Sequence, residues 1–366
     1  MDIGIIGLPQ SGRTTVFNAL TEGGSSSRVS AGTAAAHIGT AFVPEPRLEV
    51  LFGIFHPEKM SRTTVTYIDV GASLKDMAQD KGIGGKLLNQ LSQVDALINV
   101  VRSFKNESVP HIEGSLDVER DIANMNLELA FSDLVILERR LSRLEESLKA
   151  AKQAERAGII REQEAIARIK ADLERDIPVR EMTLTEEEQK AISGYGLLSA
   201  KPILVAVNIG EEELPETNAI INELSAKYSG LKRGITAICG ELEMELTQLD
   251  GEAADEFRNE YGLTESGADR IIRLSYELLG LITFFTGGGP DEVRAWAVSN
   301  GTNAPKAAGK IHSDMEKGFI RAEVTPYEDL VKCGSFSEAK KKGVLRLEGK
   351  TYQVRDGDVI TFLFNV

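Results

Sequence analysis

The chain lacks the features that would tie it to an oxidising compartment, a metal centre or a bilayer. Only two cysteines occur in 366 residues, Cys239 and Cys333, far apart, so no disulfide framework is expected. The four histidines, His37, His56, His111 and His312, stand without metal-ligand spacing and read as surface or core residues rather than a zinc site. No apolar run is long enough to span a bilayer, and no signal-peptide pattern precedes the first strand. A cytoplasmic protein without membrane contact, monomeric, is the expectation. Basic residues are also in deficit, 42 Lys and Arg against 56 Asp and Glu, for a net charge of −14. That balance argues against general nucleic-acid binding. The deficit is uneven: residues 201–280 carry −9, whereas residues 281–366 carry +1 and include Lys306, Lys310, Lys317 and the run Lys340-Lys341-Lys342. The run is either a solvated helix face or a contact for RNA.

What the chain does have begins at its seventh residue. An apolar run, Ile3 to Ile6, leads into Gly7-Leu8-Pro9-Gln10-Ser11-Gly12-Arg13-Thr14-Thr15, followed by Val16-Phe17-Asn18-Ala19-Leu20. Strand, glycine loop and helix start have the spacing of a phosphate-binding loop, G-x-x-x-x-G-K-[ST], with Arg13 in the lysine position. Gly7 and Gly12 let the backbone curl so that successive N–H groups face phosphate oxygens, and the helix N-terminus adds its positive end. Gly7, Pro9, Gln10, Ser11, Gly12, Arg13, Thr14 and Thr15 are therefore the candidate phosphate-binding residues. Thr14 stands where a hydroxyl would meet Mg²⁺. Arg13 keeps the lysine's charge on a wider, forked group. The bland alternative is a glycine-rich strand–helix turn with no ligand.

Two strand ends extend the constellation. Asp69 closes the strand Val65-Thr66-Tyr67-Ile68, where a carboxylate would hold Mg²⁺ through water. Asn208 closes Ile203 to Val207 and opens Asn208-Ile209-Gly210-Glu211. In the guanine-reading pattern Asn-x-x-Asp the carboxylate accepts from the base; the longer Glu211 would present its oxygens elsewhere, which weakens guanine specificity and admits adenine. Alternatively, Asn208 caps a turn.

The length suggests two or three domains. Buried-looking strands such as Ala96 to Val101 alternate with helices and predict an α/β fold, a P-loop parallel-sheet domain over 1–118 and 198–280. Between them, Leu127, Leu134, Leu141 and Leu148 fall seven apart, with Ala130, Leu137, Leu144 and Ala151 at the interleaving position. Ala157-Gly158 is expected to interrupt the pattern and Pro178 to end it. Residues 119–197 thus read as an inserted antiparallel coiled-coil hairpin, or more modestly as one more globular helix pair. From 281 to 366 the text is strand-rich, with a helix near Ala304 to Met315 and a turn at Asp356-Gly357-Asp358, which fits a C-terminal β-grasp module.

These residues bring a family into view. Gly7-Leu8-Pro9 with Phe17-Asn18-Ala19-Leu20-Thr21, Val43-Pro44-Glu45-Pro46-Arg47-Leu48, Val100-Val101-Arg102, Asn208 with Glu211, and Glu316-Lys317-Gly318-Phe319-Ile320-Arg321 make the chain resemble the YchF/Obg-like ATPases over nearly its full length. The resemblance implies a nucleotide domain, a coiled-coil arm and a C-terminal TGS-type domain. It also implies ATP in preference to GTP, Mg²⁺, slow hydrolysis, and association with the ribosome or ribosomal RNA. Several positions depart from the family. Arg13 replaces its lysine and Ala72 the glycine of its second switch, with Gly71 one place early. Gln90 stands at its catalytic histidine, and Cys239-Gly240 replaces a base-supporting Ser-Ala. Thr33 is kept in the first switch as a third Mg²⁺ candidate beside Thr14 and Asp69. Arg13 and Gln90 are the expected catalytic residues; Asn208, Ile209, Glu211, Cys239 and Gly240 are the expected base-side residues. The departures gather at the γ-phosphate and the base, so impaired hydrolysis is expected, with a non-catalytic nucleotide-sensing adaptor as the alternative.

Overall fold

A computed structural model describes residues 1–21, 37–70, 83–228, 230, 232–249, 251–263 and 265–365. Thr33, Gly71 and Ala72 lie outside them. In chain order the elements are β1 (Asp2–Ile6), α1 (Arg13–Thr21), β2 (His37–Phe42), α2 (Pro46–Phe55), β3 (Lys59–Ser61), β4 (Thr64–Asp69), α3 (Ile83–Gln93) and β5 (Ala96–Arg102). Two long helices follow, α4 (Val118–Ala150) and α5 (Gln153–Leu173), then α6 (Glu186–Ile192), β6 (Ile203–Asn208), α7 (Thr217–Tyr228) and β7 (Arg233–Ile238). The remainder is α8 (Gly240–Leu246), α9 (Gly251–Glu260), α10 (Gly267–Leu278), β8 (Leu281–Thr286), β9 (Glu292–Ser299), α11 (Ala304–Ile311), α12 (Ser313–Lys317), β10 (Phe319–Pro326), α13 (Tyr327–Cys333), α14 (Phe336–Lys341), β11 (Arg346–Glu348) and β12 (Asp358–Phe364). The fold is α/β, and the chain divides into two compact units, residues 1–41 with 66–271, and residues 42–65 with 272–366.

The first unit is built on a sheet of order β2-β4-β1-β5-β6-β7, in which β4, β1, β5, β6 and β7 run parallel. β5 and β6 are buried at every residue, as strands covered on both faces must be, which is why their sequence reads as unbroken apolar runs. The register sets Ile5 beside Asp69, Ile6 beside Asn99 and Arg102 beside Asn208. One edge therefore gathers the polar residues that end each strand, at the carboxyl ends where parallel sheets bind ligands.

The helical part of this unit has its own core: Ala130, Leu137 and Leu144 of α4 with Ile166, Ile169 and Leu173 of α5. These belong to one of the two seven-residue lines; on the other, Leu127 is 48% exposed. The break falls at Ala151-Lys152, both extended, not at Ala157-Gly158. Gly158 sits inside α5, where a glycine costs only about 1 kcal/mol relative to alanine. Asp133, fully buried on α4, accepts from the backbone N–H of Leu198 (2.8 Å) and Ser199 (2.7 Å) and so ties the helix to the segment leading into β6. Burial pushes its carboxyl up to about 6, against the pull of those hydrogen bonds.

The second unit carries a mixed sheet, β11-β10-β12-β8-β9-β3. β8 and β9 are antiparallel, β12 lies parallel to β8, and β10 is antiparallel to β12 and β11. The edge strand β3 comes from residues 59–61 and runs parallel to β9. One sheet face packs Phe284, Val324 and Ile360 against Ala304, Ala307 and Ala308 of α11. The other packs Phe285, Val293 and Val359 against Leu48 and Leu51 of α2. The expected domain boundary at 281 differs from this division because α2 and β3 supply part of the C-terminal unit's core and sheet. Among the described residues no helix is long and apolar enough to cross a membrane.

Candidate functional site

The site starts from the turn between β1 and α1. Gln10 and Gly12 adopt positive φ, +64° and +82°, so the backbone reverses its curl twice within three residues. Such alternation turns consecutive N–H groups toward one side, the geometry of an anion nest. Glycine is needed at two points. A Cβ on Gly7 would lie 2.6 Å from the Val100 carbonyl oxygen, and one on Gly12 would lie 2.1 Å from Nδ2 of Asn208. The turn closes with Ser11 N–H donating to Leu8 O (3.2 Å), and Val16 N–H to Gly12 O (3.0 Å) starts the helix. Ser11 is buried, and its Oγ has no hydrogen-bond partner among the described residues. Pro9, Gln10 and Thr14 are exposed; Thr15 is half-buried.

Asp69 is the centre of charge. It is 3% exposed, and its Oδ2 accepts from the Thr14 hydroxyl at 3.0 Å. Its Oδ1 lies 2.7 Å from Nε of Arg13. That contact is an ion pair without hydrogen-bond alignment. Arg13 also donates from Nη1 to the Gly7 carbonyl at 3.2 Å, so its fork is held at two points. His37, on β2, brings Nδ1 to 3.8 Å from Asp69 Oδ2. The sequence marked His37 only as surface or core; its position at the start of a strand that follows the loop gave no further signal.

Asn208 braces the loop from behind. Its Nδ2 donates to the Ser11 carbonyl (3.1 Å), and its Oδ1 accepts from Gly240 N–H (3.0 Å). Both ends of the amide are thus engaged with backbone, one on the loop and one at the start of α8. The residue expected to read a base or cap a turn is a strut between two turns. Its backbone carbonyl accepts from the N–H groups of Ser103 and Phe104. Ile209 is buried and donates its N–H to the Ile238 carbonyl. Glu211 is exposed and opens a 3₁₀ turn to Glu216. Cys239 is the buried N-cap of α8; burial, with Glu211, Glu241 and Glu243 adding, pushes its thiol up to about 11, so it stays protonated at neutral pH. Gln90 lies on α3 with its side chain exposed.

Sequence reasoning passed over the support around the loop. Arg102 is buried, lies 4.5 Å over the Phe104 ring, and donates to the carbonyls of Phe104, Asn106 and Val109. Phe104 stands 3.4 Å from where a Gly12 Cβ would be. The signal was Arg102 standing directly after the buried-looking strand Ala96 to Val101, which the structure extends to the arginine. Among the described residues no group of three His, Cys, Asp or Glu side chains is placed to hold a metal.

Comparison with known proteins places this arrangement. The YchF-GTPase_C family model, described as a protein of unknown function (DUF933), matches residues 281–365. The chain is similar to the ribosome-binding ATPase YchF of Bacillus subtilis (strain 168), with 40% identity over 366 residues and 99% of each chain covered. It is 36% identical to the protein of that name from Escherichia coli O157:H7, again over 99% of each. Among solved structures it superposes on the Schizosaccharomyces pombe YchF GTPase with a TM-score of 0.83 and 28% identity, covering 99% of this chain and 97% of the other. Identity at that level from end to end, on the same fold and with the strand-end residues gathered at one loop, makes this chain a member of the YchF family.

Proposed function

We propose that this chain binds ATP, with GTP as the weaker ligand, hydrolyses it slowly, and associates with the ribosome or its RNA. The observation that carries the reading is the loop itself. The alternating turn at Gln10 and Gly12, braced by Asn208, presents backbone N–H groups at the start of α1, where the helix end also favours negative charge. The buried Ser11 hydroxyl, without a partner among the described residues, supports the same assignment, because polar groups are rarely left so without a ligand or water. Phosphates would lie against Gly7 to Thr15. The base would lie toward Asn208, Ile209, Glu211, Cys239 and Gly240. The exposed Glu211 and the doubly engaged Asn208 amide favour adenine over strict guanine reading.

Thr14 and Asp69 form the oxygen pair toward which Mg²⁺ would come, with Thr33 completing the proposed set. Bound there, the ion would neutralise charge between phosphate oxygens. The fit is partial, since Asp69 arrives already paired with Arg13. Gln90 is the residue proposed to orient a water for attack. The organisation proposed for the chain keeps the two-helix segment of 119–197 as an arm inserted into the nucleotide domain and residues 281–366 as a TGS-like module. Ribosome association is supported by the name "ribosome-binding ATPase YchF" carried by full-length relatives. The pinned Arg13 favours a second reading, a nucleotide sensor that does not turn over.

Calorimetric titration with ATP and GTP, with turnover measured on the same sample, tests the reading. Micromolar ATP binding with slow turnover, lost in Thr14→Ala, is expected. Binding without turnover selects the sensor. No binding of either nucleotide removes both. Co-sedimentation with ribosomes in the presence of ATP or ADP tests the partner.

A further inference from the structure

We infer that Arg13 serves as a built-in cation at this site, and that nucleotide binding here has little need of Mg²⁺. The inference rests on the nucleotide reading above and concerns how charge is balanced within it. In the lysine arrangement the cation reaches the phosphates, and the aspartate at the end of the neighbouring strand keeps its full charge for the metal. Here the guanidinium turns to the aspartate: Nε lies 2.7 Å from Asp69 Oδ1, and Nη1 is tied to the Gly7 carbonyl. The pair is nearly closed to water, with side chains 13% and 3% exposed. Asp69 is therefore neutralised before any ion arrives. A divalent cation approaching the Thr14 hydroxyl would meet a compensated carboxylate and a positive group beside it, at a depth where water screens little. The same guanidinium stands in the first turn of α1, next to the N–H groups that would face phosphate. The site therefore offers phosphate a compensated carboxylate rather than an exposed anion, with the N–H groups and helix end left to supply the positive potential and no metal ion needed to cancel Asp69. Only arginine can do this, since its planar fork serves a carboxylate and a carbonyl together, whereas an ammonium is a point charge.

The competing arrangement has Arg13 swing to the phosphates when nucleotide arrives, freeing Asp69 for the metal. Its two anchors and its burial oppose that movement, and metal dependence separates the cases.

The test titrates the full-length native protein with ADP and with ATP, once in excess Mg²⁺ and once in excess EDTA. The expected result is an affinity that changes by less than about threefold, whereas Arg13→Lys should show a dependence of about tenfold or more, as a freed carboxylate restores the metal's role. A second measurement needs no nucleotide. Mn²⁺ alone, followed by electron paramagnetic resonance, should bind the native protein weakly and bind Arg13→Met at least about tenfold more tightly, because the Thr14–Asp69 pair is released. Native nucleotide affinity that falls tenfold or more in EDTA overturns the inference and leaves the nucleotide reading standing. Equal Mn²⁺ binding by native protein and Arg13→Met also overturns it. Absence of ADP and ATP binding under both conditions removes the reading and the inference together.

Discussion

Each of the two compact units contains an arginine held against an aspartate, and the two pairs do different work. In the second unit Arg47 sits in the first turn of α2. It donates to both oxygens of Glu45 (2.7 and 2.6 Å) and to Asp356 (2.6 Å), while Asp356 also accepts from Thr283 N–H (2.9 Å). The hydrogen bonds it donates to Glu45 above all, and then to Asp356, drive the Arg47 guanidinium further up from its usual range, against its burial. Each of these charged groups has hydrogen-bonded partners, so the knot closes a helix start onto a turn. In the first unit Arg13 and Asp69 touch without hydrogen-bond alignment, and a buried serine hydroxyl nearby has no partner among the described residues. The same pair of side chains is a clasp where it is joined by aligned hydrogen bonds and a candidate site where it is not.

The largest expected effect comes from closing the open pair's cradle. Gly12→Ala would put a Cβ against Asn208 on a backbone that disfavours side chains, and should weaken ATP binding by at least about a hundredfold, roughly 3 kcal/mol, in a calorimetric titration.

Asp133 supplies a reference carboxylate, held by the backbone N–H groups of Leu198 and Ser199 with the Ser199 side chain and the Arg180 charge beside them. Its folded pKa, about 6, exceeds the ordinary 3.8, so the folded state binds its proton more tightly than the unfolded one. Its contribution is full below the unfolded value and is lost as pH rises through the folded one. Against an Asp133→Asn control, denaturant titrations should show up to about 3 kcal/mol of stability disappearing between roughly pH 4 and 6.5.

Next in size are the two arginines themselves. Arg47→Met and Arg13→Met should each cost about 2 kcal/mol of stability, because each leaves carboxylate charge without its partner. Added Mg²⁺ should recover most of the loss in Arg13→Met and none in Arg47→Met, as followed by thermal unfolding. Recovery in both, or in neither, would erase the distinction between clasp and site. The smallest effect is at the base side, where Glu211→Asp should raise GTP affinity relative to ATP by about threefold, near 0.6 kcal/mol.

How much of this was legible in the sequence follows from the range over which each signal acts. The parallel sheet and the tight glycine turn after β1 could be read because apolar runs and glycine spacing are local. Asp69 and Asn208, which lie against that turn, could be singled out because strands of such a sheet end at its ligand edge. Their partners were not legible. Arg13 finds Asp69 across 56 residues, and Asn208 finds Ser11 across 197. No periodicity encodes either meeting. The helix break was misplaced because glycine was given more weight than its modest cost in a helix warrants. β3, with three residues, is too short to carry an alternation pattern, so its membership in the second sheet had no local trace.

That short strand has a consequence in time. Ser61 meets its hydrogen-bond partner Glu292, 231 residues further along. At synthesis rates of about 5–20 residues per second, roughly 10–50 s pass before that partner is made. Throughout that interval α2 carries Leu48 and Leu51, both destined for complete burial, with nothing from the C-terminal sheet to cover them. The second unit is begun early and completed last, so a nascent chain exposes an unfinished apolar helix while residues 66–271 of the first unit are still being made. During that wait the exposed helix is the kind of apolar surface a chaperone would cover.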